Sequence, residues 1–133
     1  MIPALLAGGD YGLLALRIAL GLILVAHGWP KLRHFTAAAD GLRGMGFRPA
    51  RLWTFLACVA ELGGGLLLIV GLYTQPVSAL IALQFLVIIL KVKLSKGLVG
   101  GYEFDLLIFA AAAALMTVGA GGVSIDDSFR IIY

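Results

Sequence analysis

Charged residues are scarce in this chain. Only 13% of its 133 residues are Asp, Glu, Lys or Arg, whereas 62% are hydrophobic. A soluble domain carries about 25% charged residues, so the composition excludes an ordinary soluble protein and predicts an integral membrane protein. The charges that give the formal net charge of +3 lie between apolar runs, a pattern typical of membrane topology and not of nucleic-acid binding.

Cysteine and histidine are also nearly absent. The chain has one cysteine, Cys58, and two histidines, His27 and His34. A single cysteine excludes an intrachain disulfide and a CxxC redox pair, and two such histidines make no haem or metal motif. The GxGxxG, P-loop and HExxH motifs are missing as well. The sequence therefore carries no metal, haem or flavin signature, and we interpret Cys58 as a small buried apolar residue.

Four long apolar runs dominate what is present. They lie at about residues 11–33, 51–73, 77–94 and 102–118, and each has the roughly 17–25 residues of a membrane-spanning helix. We predict an all-α fold, an integral membrane four-helix bundle, as a single domain over residues 1–133. The first run lacks the basic segment of a cleaved signal peptide, so we expect its helix to be retained.

The connections between the runs are short. Residues 34–48 are small and polar, and they fit either a short surface helix or an irregular loop. The Thr74–Pro76 segment predicts a tight turn between the second and third runs. The tail that begins at Ser124 is expected to be a short interfacial segment.

Basic residues collect in alternate loops. Those in or beside the first loop are Lys31, Arg33, Arg43, Arg48 and Arg51, and those around the third are Lys91, Lys93 and Lys96. Basic loops favour the cytoplasmic side of a membrane. We therefore predict a multi-pass protein with both termini outside.

Glu61 stands near the middle of the second run and is followed by Gly63, Gly64 and Gly65. A charged side chain at that depth costs about 2.5–3.5 kcal/mol on insertion scales, so we predict that Glu61 points into the bundle. Its expected partner is Gln84 of the third run or a residue of the first. The glycines predict close packing of another helix.

The polar residues of the runs are predicted to form two layers. Counted from the cytoplasmic side, the residues of the first layer are His27, Lys31, Lys91 and Glu103. Glu61 and Gln84 lie deeper, and Arg17 lies about two turns beyond Glu61. We expect an ion pair between Lys31 and Glu103, worth about 0–1 kcal/mol. The layers fit either a polar pocket open to the cytoplasm or a set of structural ion pairs.

Several short motifs resemble those of one known family. They are residues 27–32 (HGWPKL), 61–65 (ELGGG) followed by 71–74 (GLYT), and 100–103 (GGYE), with 119–121 (GAG) and 124–126 (SID) near the end. The first is similar to the HGxxKL signature of the DoxX family, and the second to its E-x-x-G-G…G-x-x-T pattern. The likeness covers nearly the whole chain and is carried by the order and spacing of the motifs.

The resemblance implies a small four-helix protein of a bacterial or archaeal cell membrane. One relative, DoxD, is the membrane subunit of a thiosulfate:quinone oxidoreductase that needs a second subunit. Others are linked to oxidative-stress defence, and distant ones assist assembly or export of membrane proteins. The family therefore implies a redox-linked membrane component that is not a self-sufficient enzyme.

Three functional hypotheses follow. In the first, the protein is a subunit of a quinone-linked oxidoreductase, and His27 and Glu61 carry protons, since histidine has an ordinary pKa of about 6.5, near neutrality. The residues expected to line the quinone pocket are Arg17, Lys31, Gln84 and Glu103, with Arg17 as a fixed positive charge. The second hypothesis is a non-catalytic scaffold that recruits a partner, and the third is passage of a small molecule or ion.

These hypotheses imply different partners. In the quinone hypothesis the electron carrier is the bound quinone or a soluble redox partner subunit, because no electron-carrying group is evident in the chain. All three imply contact with membrane lipid and none with nucleic acid. A homo-oligomer is a further expectation.

Overall fold

The structure is a computed structural model and describes residues 8–132. The helices of this part are α1 Gly9–Arg33, α2 Phe35–Gly44, α3 Ala50–Val70, α4 Thr74–Lys96, α5 Glu103–Val118 and α6 Ile125–Ser128. An irregular turn, Leu98–Tyr102, leads into α5, because Val99 and Gly100 leave the helical conformation. Within the described residues there is no strand, and α1, α3, α4 and α5 are long and apolar enough to cross a membrane. The prediction of an all-α membrane bundle is confirmed.

The long helices pack in chain order around a common core. α1 packs on α3, α3 on α4, α4 on α5, and α5 returns to α1. The core side chains are Leu20, Leu24, Leu68, Val77, Ile81, Ala82, Phe85, Ile108, Ala112 and Leu115. Many other large apolar side chains point outward, as lipid-facing residues of a membrane bundle do. The end of the bundle with the α1–α2 and α4–α5 connections is called the basic end. The opposite end, with the α3–α4 turn and residues 119–128, is called the terminal end.

Glycines bring α1 and α3 into close contact. A Cβ added at Gly21 would lie 2.5 Å from the backbone oxygen of Gly65, and one at Gly65 would lie 2.7 Å from the backbone oxygen of Gly21. Towards the basic end, a Cβ at Gly28 would lie 3.0 Å from the Cβ of Glu61. Small residues allow such approach in membrane helices, so these positions set the alignment of Glu61 with α1.

The second turn differs from its prediction. α4 begins at Thr74, with Pro76 in its first turn, and the reversal occurs at Gly71–Tyr73. Gly71 has φ of +75° and ends α3 in the left-handed conformation that favours glycine. The backbone N–H groups of Tyr73 and Thr74 donate to the carboxylate of Asp126, at 2.7 and 2.8 Å. The prediction of a Thr74–Pro76 turn was wrong because this cap comes from a distant part of the chain.

Of the two structures predicted for residues 34–48, a surface helix or an irregular loop, the helix is confirmed. α2 occupies Phe35–Gly44, and its Ala39 is buried. The Arg51 guanidinium lies 4.9 Å from the centre of the Phe35 ring, a cation–π contact. α2 therefore packs against the start of α3.

The tail is more than an interfacial segment. The Ser124 hydroxyl accepts the backbone N–H of Asp127 and caps α6, and the Asp126 N–H donates to the carbonyl of Gly71 at 2.9 Å. The Asp126 side chain is buried. The terminal segment, residues 119–128, is thus fastened to the terminal end of the bundle.

Candidate functional site

Glu61 lies in a short π-helical turn of α3, Val59–Gly63. Its side chain is only 1% exposed. A π turn inserts one extra residue into a helix and frequently marks a functional site. The local irregularity and the buried charge coincide, which makes Glu61 the centre of the candidate site.

One oxygen of Glu61 receives two donors. Lys31 Nζ lies 2.6 Å and Gln84 Nε2 lies 2.7 Å from Glu61 Oε1. The predictions that Glu61 points into the bundle and meets Gln84 or a first-run residue are confirmed. Within residues 8–132 the other oxygen, Oε2, is buried and has no hydrogen-bond partner. The carboxylate therefore retains an acceptor position inside the bundle.

Lys31 reaches Glu61 because Gly28 lets α3 approach α1 one turn earlier. Glu61 lies level with Gly28, about one turn deeper than Lys31, as expected, and the long Lys31 side chain spans the difference. The predicted ion pair between Lys31 and Glu103 was wrong. Glu103 Oε1 instead accepts the backbone N–H of Gly100 at 3.0 Å, because the turn before α5 directs that carboxylate towards its own helix start.

Arg17 is buried at the terminal end and lies outside the Glu61 site. Its guanidinium donates to the backbone carbonyls of Ala120 at 2.9 Å, Leu68 at 3.1 Å and Ile69 at 3.4 Å, and also to Val123. It therefore joins α1 and α3 to the terminal segment. The prediction that Arg17 lines a pocket with Glu61 was wrong, because backbone carbonyls satisfy this cation.

His27 lies next to the site but makes no hydrogen bond to Glu61. Its Nδ1 lies 2.8 Å from the carbonyl oxygen of Ile23, and its ring stacks on Phe104 with centroids 5.6 Å apart. A carbonyl only accepts, so Nδ1 carries a proton and Nε2 is left to take up another. His27 is exposed, so any proton transfer between His27 and Glu61 would run through Lys31 or water.

A second lysine–carboxylate pair was missed from the sequence. Lys93 Nζ lies 2.6 Å from Asp105 Oδ2, and the Asp105 side chain is 7% exposed. Asp105 stands in the first turn of α5. Near the basic end, each long helix contacts the next one around the bundle through side chains. The contacts, in order from α1 round to α1 again, are Lys31–Glu61, Glu61–Gln84, Lys93–Asp105 and His27–Phe104. These contacts hold all four long helices in register.

Clefts on the described surface lie away from Glu61. One at the terminal end is lined by Gln75, Asp126 and Arg130 among others, and one at the basic end includes Lys91 and Ser95. In residues 8–132 no three His, Cys, Asp or Glu side chains are grouped to hold a metal ion. The two side chains that contact Glu61 are not fully buried, since Lys31 is 30% exposed and Gln84 is half-buried.

We expect Glu61→Leu to destabilise the bundle by about 1 kcal/mol, the low end of the cost of an unpaired buried group, while Glu61→Gln costs less. Leucine leaves Lys31 and Gln84 without their acceptor, whereas glutamine keeps an amide oxygen. Lys31 is partly exposed and can turn to water, which limits the loss. The fraction of monodisperse protein after heating in detergent measures the effect.

The matched control for that prediction is the double variant Glu61→Leu/Lys31→Met, which removes both charges. It should recover part of the stability, since replacing both members of a buried pair is often neutral. Equal stability of the wild type and Glu61→Leu would show that the contacts contribute nothing to folding.

Comparison with known proteins gives consistent matches. The DoxX family profile matches residues 12–94. A Bacillus subtilis protein named "Putative oxidoreductase CatD" is 31% identical over 117 residues, covering 88% of this chain and 86% of that protein. An uncharacterized Haemophilus influenzae protein is 29% identical over 125 residues, covering 90% and 91%. No solved structure matches significantly.

Proposed function

The chain belongs to the DoxX family, and from that membership and the geometry at Glu61 we propose that it is a membrane component of a redox pathway. In this proposal, Glu61, Lys31 and Gln84 bind the polar headgroup of a quinone. A relative that carries the name of an oxidoreductase supports the redox assignment. The quinone assignment depends on the side chains themselves.

The observation that carries the proposal is the free oxygen of Glu61. Oε1 is occupied by Lys31 and Gln84, whereas Oε2 is buried with no partner in the described chain. A hydroquinone hydroxyl would donate to Oε2, and the Lys31 ammonium would donate to a quinone oxygen. Both roles match the groups present, because a carboxylate only accepts and an ammonium only donates.

Reduction of a quinone to a hydroquinone consumes two electrons and two protons. We propose that a soluble redox protein supplies the electrons and that Lys31 and Glu61 conduct protons from the basic end. The Lys31 side chain is 30% exposed, and His27 Nε2 adds a proton-accepting group nearby.

Quinone retention tests the proposal. The protein is purified in mild detergent from a quinone-containing membrane, extracted with solvent, and its quinone content is measured per protein. We expect a bound quinone in the wild type and about tenfold less in Glu61→Gln and Lys31→Met, since a hydrogen bond to a charged group is worth about 1.5–3 kcal/mol.

Asp105→Asn is the matched control. It disrupts a lysine–carboxylate pair of the same 2.6 Å length and similar exposure, yet it should leave quinone retention unchanged. If the wild type retains no quinone, or all variants retain it equally, the Glu61 site is structural. The scaffold alternative, in which the bundle recruits a partner protein, then replaces the redox proposal.

We also propose that the basic end faces the cytoplasm of a bacterial cell and that both termini face outside. With Cys58 replaced by alanine, Ile132→Cys places a thiol at a 93% exposed position of the terminal end, and Ser95→Cys places one at the exposed basic end. A membrane-impermeant maleimide added to intact cells should label only Ile132→Cys. Labelling of only Ser95→Cys would reverse the orientation.

A further inference from the structure

Three buried side-chain oxygens lack a hydrogen-bond partner in residues 8–132. They are Glu61 Oε2, Thr74 Oγ1 and Ser78 Oγ. Unsatisfied polar atoms are costly inside a membrane protein, and where they occur they commonly hold internal water. All three lie on α3 and α4, and this placement calls for a common explanation.

The two hydroxyls extend inward from the terminal end. Thr74 and Ser78 are one turn apart on α4 and are both completely buried. Side chains at this spacing are about 5–6 Å apart, the span that one water molecule bridges with two hydrogen bonds of about 2.8 Å. The Thr74 N–H donates to Asp126, and Asp126 lines the cleft that opens at the terminal end. The first polar half of the proposed path thus extends from this cleft to Ser78.

The second polar half starts at the basic end. It runs from the partly exposed Lys31 to Glu61 and Gln84. Gln84 lies six positions after Ser78 on α4, a rise of about 9 Å. The core residues between them are Leu24, which packs at Gly65, and Ile81, which packs at Gly64, both with no exposed surface. Ile81 lies between the two polar positions on α4, so an apolar layer separates the two halves.

We propose that the bundle contains a proton passage in two halves, closed in this structure by the Ile81 layer. Water held by Thr74 and Ser78 would conduct a proton from the terminal-end cleft, and Glu61 with Lys31 would conduct it to the basic end. Each hydroxyl accepts one proton as it donates another, so the step is proton transfer alone and needs no oxidant or reductant. The inference rests on the proton-accepting role proposed for Glu61, and it adds passage across the membrane to that role.

Proton flux into liposomes tests the passage. The purified full chain is reconstituted with a pH-sensitive dye inside, and a potassium gradient with valinomycin drives proton entry. The wild type should be slow, because the Ile81 layer is closed. Ile81→Ser, which lets water cross the layer, should raise the flux about tenfold, and the milder Ile81→Ala should raise it less.

The matched control is Ile89→Ser. Ile89 is the same residue type on the same helix and is 6% exposed, but it lies beyond Gln84 towards the basic end. It should not raise the flux. In the Ile81→Ser background, Glu61→Gln and Ser78→Ala should each return the flux towards the wild-type value, because each removes a relay group.

A flux through Ile81→Ser that is indifferent to Glu61→Gln and Ser78→Ala would overturn the passage, as would an equal leak in Ile89→Ser. If Ile81→Ser does not fold, the same two substitutions are tested on Ile81→Ala, and failure of that variant to exceed the wild type overturns the passage. Quinone content is measured on the same preparations. If quinone retention depends on Glu61 but no variant shows flux, the passage is overturned and the quinone site stands. If the expected flux pattern appears but no quinone is bound, the quinone site is overturned and the passage stands.

Discussion

Replacing Arg17 with leucine is expected to destabilise the protein by about 3–5 kcal/mol, because several buried carbonyls lose their donor at about 1–3 kcal/mol each. Arg17 is completely buried and donates to carbonyls of α3 and of the terminal segment. Leucine would leave these carbonyls without a donor and would remove a positive charge that interacts with Asp126. The terminal segment should then detach from the bundle.

The neighbourhood of Arg17 makes compensation difficult. A Cβ added at Gly71 would collide with the Arg17 guanidinium, so the end of α3 is shaped around that side chain. Arg17→Lys retains a charge but has no planar fork to reach several carbonyls at once. We expect Arg17→Lys to lose about half as much stability as Arg17→Leu.

Cys58 provides the measurement for Arg17→Leu. It is the chain's single cysteine and is 2% exposed, so a thiol-reactive fluorescent dye labels it only as the bundle unfolds on heating in detergent. Arg33→Leu, at an exposed arginine of the same helix, is the control and should label at the wild-type temperature. Equal labelling temperatures for Arg17→Leu and the wild type would contradict the network.

Hydropathy and the cost of buried charge predict much of this structure. Uninterrupted apolar runs predict the spanning helices, and a lone carboxylate inside one of them predicts that Glu61 faces inward. The observed helices differ from the predicted spans by a few residues at most ends, as at Thr74. These signals are local, so one sequence suffices to recognise them.

The partners of the charges could not be predicted in the same way. The partner of Lys31 was chosen by depth, whereas the close contact at Gly28 brings Glu61 within reach of the Lys31 side chain. Asp126 caps the start of α4 from 52 residues away. Pairings of this kind depend on how helices slide and tilt against one another, and no spacing within a single run records that.

Gly21→Val is expected to cost about 3 kcal/mol, the upper part of the range for overpacking. A Cβ at Gly21 would lie 2.5 Å from the Gly65 backbone oxygen and 2.6 Å from Cγ1 of Ile69. The Ile69 side chain can rotate away, but the carbonyl belongs to α3 and cannot move without the helix. Valine should therefore force α1 and α3 apart.

Gly12→Val on the same helix is the matched control, because a Cβ there meets nothing within 4 Å. It should leave the labelling temperature of Cys58 unchanged or slightly raised, since glycine is a poor helix former. Gly21→Val should lower that temperature, and it should also lower quinone retention, because separating the helices draws Lys31 away from Glu61. Equal behaviour of the two valine variants would show that the glycine contact does not align the site.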